Sequence, residues 1–239
     1  MKTFRNALSA AKKYSWGATQ VIFSVAINHF GEGSGKQFNN SRRRFGMENI
    51  RLNIVGDYPK ISPKSLIDPS AQIIGKVEIE EDVFIGPLSV IRADRRGEDG
   101  KVGPIRIKRG VNIHDGVVIH SSPGSSVVIG TDTVIGHGVT IYGPCTIGKD
   151  SFLAIRSLVY RATLGENVWL GVGAMVARAT LASFTKVPMG SIIQKDVDAF
   201  DLSLITERDK EYMAEVRKAN AQLRQEYLEL RRKAEALAR

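Results

Sequence analysis

The sequence predicts an all-β fold, a parallel β-helix of six-residue repeats, followed by one long α-helix. Three observations carry this expectation: an aliphatic residue at every sixth position, glycine often directly after it, and a change to spacings of three and four beyond residue 200. The repeat runs through Ile67, Ile73, Ile79, Ile85 and Ile91, resumes at Ile107, Ile113 and Ile119, and resumes again at Ile129, Ile135, Ile141, Ile147 and Leu153. After a slip of one residue it continues at Leu158, Leu164, Leu170 and Val176.

Each hexad is read as a short strand and a corner. Three hexads close one triangular rung, and rungs stack at the strand spacing of ~4.8 Å. The recurring aliphatic side chain points inward, so stacked rungs share one continuous core. Glycine, as in Ile85-Gly86, Ile129-Gly130 and Leu170-Gly171, is expected to give the corner its backbone freedom. The two interruptions, Arg95 to Pro104 and Ser121 to Val127, are polar and contain Gly and Pro, as loops inserted at corners should.

Three segments follow. Residues 1–58 form a basic N-terminal extension expected to be helical, residues 59–198 the β-helix, and residues 199–239 a C-terminal helix. On that helix Met213, Val216, Asn220, Leu223, Tyr227, Leu230, Ala234 and Leu237 alternate three and four apart. Such a stripe is expected to pack on the β-helix or on a neighbouring subunit.

The net charge is +9, and residues 1–50 supply much of it, with eight Lys or Arg against two Glu. The basic residues are not interleaved with aromatic ones, as a base-stacking surface requires, which argues against nucleic acid. The first 31 residues contain no Asp or Glu but carry Lys2, Arg5, Lys12 and Lys13. That is the composition of a mitochondrial targeting segment; an amphipathic helix lying on a partner, in a cytoplasmic protein, is the other reading. Together with Arg42, Arg43 and Arg44, the segment is expected to face lipid headgroups or subunits of a membrane complex. Its apolar stretch from Ala18 to Phe30 is shorter than the ~20 residues a bilayer span needs. The single cysteine, Cys145, excludes a disulfide framework and reads as a small core residue.

Counting hexads, with each loop replacing a corner, places Ile91, Ile119 and Ile141 on one face of the prism. The residues that follow them, Arg92, His120 and Tyr142, then point outward in one column. His137 follows Ile135 on the preceding face and can meet that column only from another subunit. Two of the four histidines thus converge on an intersubunit groove, where a catalytic zinc would need three protein ligands and an open position.

Residues 59–227 resemble the γ-class carbonic anhydrases, most closely their archaeal prototype branch. The resemblance rests on Ile91-Arg92-Ala93-Asp94, on the run from Asn112 through His114, Asp115 and Gly116 to His120, on His137 to Pro144, and on the Asn220, Leu223, Tyr227 pattern of the last helix. It implies a left-handed β-helix trimer, homomeric or built with γ-carbonic-anhydrase paralogues. It also implies a zinc ion held by two histidines of one subunit and one of the next, whose bound hydroxide attacks carbon dioxide. Carried over by position, the ligands would be His120, His137 and residue 142, with Arg92, Asp94, Asn112, His114, Asp115 and Asn220 around them.

This chain departs from that pattern. Tyr142 stands where the family has its third histidine, and a phenol with a pKa of about 10 is a poor zinc ligand. The loop after His120 has no acid, His114 replaces a glutamine, and Arg95 replaces a carboxylate. The resemblance therefore implies a subunit without its own hydration activity. Zinc is expected only at a site that a neighbouring subunit completes. The expected role is structural, in the membrane arm of mitochondrial respiratory complex I, on the matrix side of the inner membrane. The alternatives are an active zinc carbonic anhydrase and a hexapeptide acyltransferase.

Overall fold

A computed structural model describes residues 49–199 and 201–237, so the expectations placed on residues 1–48 lie outside the described residues. The chain winds into three all-parallel sheets of eight, seven and seven strands, each strand only two to four residues long. It forms a β-solenoid of about seven turns, as the repeat predicts. The first strand, Ile50–Arg51, joins the eight-stranded sheet beside Gln72–Gly75.

Sequence dictates this winding through its inward column. Ile73, Ile85, Ile91, Ile107, Ile113, Ile119, Ile129, Ile135 and Ile141 are fully buried in one cluster. Burying each such side chain contributes roughly 1.5–3 kcal/mol, which a strand of two residues needs to hold its place. Cys145 belongs to the same core, and burial pushes its thiol pKa up, so it acts as a small hydrophobe.

Two details of the repeat differ from expectation. Val159, not Leu158, points inward: Val159 is fully buried and Leu158 is not. Six residues therefore separate Leu153 from Val159, and the slip falls one hexad later, between Val159 and Leu164. The inward series then runs on to Leu181, Val187 and Ile193. The second difference concerns glycine. Beside the last helix, Asp82, Asp132 and Asp150 hold left-handed corner positions at φ between 56° and 62°, in one column with Gly110 at 73°. Asp and Asn tolerate this region better than other side chains. Gly130 is needed for another reason: a Cβ there would come within 2.5 Å of the Lys149 backbone nitrogen one rung on. Glycine after the aliphatic residue permits close stacking of rungs.

The C-terminal helix, Glu207–Leu237, starts at a capping box. Thr206 Oγ1 accepts from the Asp209 N–H at 3.2 Å, and Asp209 Oδ2 accepts from the Thr206 N–H at 2.8 Å. Asp209 also bonds Lys186 Nζ of the solenoid at 2.7 Å. Behind this anchor, Met213 and Val216 pack on Val134, Phe152 and Trp169, with Tyr212 against the two aromatic rings. The expected stripe is buried only in this first half. Leu223, Tyr227, Leu230 and Leu237 are exposed. The solenoid face changes at the same place: its outward column runs Trp169, Phe152 and Val134, is interrupted by the polar Asn112, and continues at Phe84 and Leu66.

Asp209 makes this docking acid-sensitive. Burial opposes its charge, but the Lys186 hydrogen bond and those from the Thr206 N–H and hydroxyl outweigh it and hold the carboxyl at about 2. A depressed carboxylate stabilises fully above its unfolded value, near 4, and the contribution is lost as pH falls through about 2. Asp209→Asn is expected to cost about 2 kcal/mol at pH 7, read as a lower Tm. The gap between mutant and wild type should shrink between pH 4 and pH 2. A gap independent of pH would contradict the assignment.

Candidate functional site: two histidine clusters beside one corner

The rung count holds in the structure. Ile91, Ile119 and Ile141 are in register on the eight-stranded sheet, and Arg92, His120 and Tyr142 stack beside them on successive rungs. Tyr160 extends this outward column by one rung.

Around His120 the polar groups are already matched. Its Nε2 lies 3.0 Å from Asp94 Oδ1. A carboxylate can only accept, so that nitrogen carries the ring proton; the tautomer is assigned from this bond. Arg92 Nε holds the other carboxylate oxygen at 3.2 Å, within the same chain. Burial lowers the His120 pKa, Arg92 and Arg95 lower it further, and the Asp94 bond works in the opposite direction. The net shift is downward, so the imidazole is neutral at pH 7.

Tyr142 stands edge-on to His120, with ring centroids 5.6 Å apart. Its hydroxyl accepts from Arg95 Nη1 at 3.0 Å. Its ring stacks on Tyr160 at 5.5 Å, and Arg178 lies over Tyr160. Sequence reasoning missed Tyr160 and the role of Arg95. Tyr160 was findable, because it stands eighteen residues after Tyr142, one full rung.

His137 belongs to a second cluster, at the corner before this face. Its ring lies 4.5 Å from that of His114, and its Nδ1 is 3.4 Å from Asp115 Oδ2. Asn220 of the C-terminal helix reaches His114 Nε2 at 3.3 Å through its amide nitrogen. Burial and the neighbouring His137 lower the His114 pKa, so it too is neutral near pH 7. Asn112, two residues before His114 in the same rung, is buried.

Within one chain the polar groups around His120 are engaged with one another. The Nε2 proton of His120 is bonded to Asp94, the neighbouring phenol is bonded to the Arg95 guanidinium, and Arg92 and Arg95 place positive charge beside the ring. Among the described residues no three His, Cys, Asp or Glu side chains converge on a point where a metal ion could sit.

This geometry defines a hexapeptide-repeat β-helix protein with His120 on one face and the His114–His137 pair at the preceding corner. The chain is 33% identical over 104 residues to the carnitine operon protein CaiE of Escherichia coli O157:H7, across 44% of this chain and 49% of that protein. CaiE from Escherichia coli strain SMS-3-5 matches to the same extent. The chain thus spans about half the length of the curated relatives it matches. The crystal structure of a hexapeptide transferase family protein from Anaplasma phagocytophilum superposes with a TM-score of 0.62, at 24% identity, over 74% of this chain and 97% of that one. That likeness shows the fold. No family model matches the chain.

Proposed function

We propose that the chain is a γ-carbonic-anhydrase-like subunit of a trimer, without hydration activity of its own, serving assembly in the membrane arm of mitochondrial respiratory complex I. The observation that supports this most is Tyr142, in register beside His120 and bonded to Arg95 in place of a third imidazole. The corner position of His137 also supports a trimer, because a ligand there serves a neighbouring chain's groove. In a heterotrimer with a three-histidine paralogue, His137 would complete that paralogue's zinc site. The active-enzyme alternative requires zinc at His120 itself, and metal analysis of the purified protein separates the two.

The basic N-terminal segment is the proposed membrane-facing contact, on the matrix side of the inner membrane. Deleting residues 1–48 is expected to release the protein from its complex while leaving the thermal melt of the solenoid intact. Co-sedimentation with mitochondrial membranes checks this, and unchanged association would refute it.

One observation favours a second reading, an acyltransferase acting on a coenzyme A thioester. His120 is neutral and oriented by Asp94 at 3.0 Å, the arrangement of a general base. Thioester turnover that disappears in His120→Ala would establish this reading over the first.

A further inference from the structure

The C-terminal helix does not close onto the solenoid along its docked length. Where the outward column changes from Val134 to Asn112, a cavity of about 370 Å³ opens between the helix and the face beneath it. This volume is at the small end of the range for ligand pockets. Asn112 is 6% exposed, and its carboxamide oxygen has no hydrogen-bond partner. Opposite it, Arg217 and Arg224 enter from the helix. Arg224 Nε is buried without a partner, and Arg217 Nη1, also buried, is 3.8 Å from Asp150, too far for a hydrogen bond. Ala221 leaves room between them.

Leaving three buried polar atoms unmatched is costly, since each forfeits its hydration without compensation. The charges are also unbalanced. Arg224 pairs with Asp82, Arg217 leans on Asp150, and Arg109 pairs with Asp132. Lys218 lines the same cavity and forms no ion pair among the described residues, so the walls carry one excess positive charge.

We propose that this cavity binds a small oxyanion that also carries an O–H group. Its charged oxygens accept from Arg217, Arg224 and Lys218, and its hydroxyl donates to the Asn112 carboxamide oxygen. The ligand thereby links this stretch of the helix to the solenoid face at Asn112, where a polar residue interrupts the outward apolar column between Val134 and Phe84. The site is independent of the His120 groove and of any metal there.

Inorganic phosphate tests this, because at pH 7 it is an oxyanion with an O–H. The purified full-length protein is titrated at constant ionic strength with chloride as the reference, reading Tm and binding heat. Phosphate should bind saturably and raise Tm. Acetate, which has no O–H, should bind roughly fivefold more weakly. Arg224→Gln should weaken phosphate binding roughly tenfold or more. Because that change also removes the Asp82 pair, Lys218→Gln serves as the second variant. It is expected to retain the wild-type Tm without phosphate and to bind phosphate several-fold more weakly. Phosphate acting no differently from chloride would mean a solvent-filled cavity and overturn the proposal. So would acetate binding as tightly as phosphate, or both variants binding phosphate as the wild type does.

Discussion

Ile147→Asp is expected to abolish folding. Ile147 is 1% exposed and stacks between Ile129 and Leu164 inside the solenoid. All its inward neighbours are aliphatic, so a carboxylate there would lose its hydration with no donor to replace it. That penalty alone is of the order of the ~5–15 kcal/mol that separates folded from unfolded domains. The variant should be insoluble or lack a cooperative melt. The shape-conserving control Ile147→Val should fold and lose only about 1 kcal/mol. A soluble Asp variant with a cooperative transition would show that the hexad column is not the core that holds the rungs together.

Tyr142→His is expected to create metal affinity. It replaces a phenol bonded to Arg95 with an imidazole directly in register with His120. In a homotrimer this supplies the nitrogen that the wild-type groove lacks, with His137 of a neighbouring chain as the third ligand. Zinc retained through gel filtration should rise from substoichiometric to near stoichiometric. Carbon dioxide hydration should remain absent, because the loop Ser121 to Ser126 still has no acid to move protons. A variant that still fails to retain zinc would mean that the Asp94 bond to His120 and the two arginines block the site by themselves.

The solenoid was legible because its signal is local and periodic: a residue every six positions needs no knowledge of distant contacts. The register of Arg92, His120 and Tyr142 followed from the same count. Where two aliphatic residues stand side by side, as Leu158 and Val159 do, the count cannot choose the inward one, and only packing decides. The Asp94 bond to His120 was not legible, because it depends on the path of the chain after Ala93. The polar half of the helix interface was equally hidden. Arg224 meets Asp82 across 142 residues, and nothing in a heptad stripe says that Asn112 will interrupt the apolar surface it meets. The stripe on the helix carries Asn220 near its middle, and the face that receives it carries Asn112.

Zinc analysis of the purified wild-type protein tests the central claim most directly. Metal content is measured per chain after dialysis, alongside His120→Ala as the reference. No stoichiometric zinc attributable to His120 is expected, with the mutant and the wild type alike. Stoichiometric zinc in the wild type that is lost in His120→Ala would contradict the account and make the chain an active-site carrier in its own right.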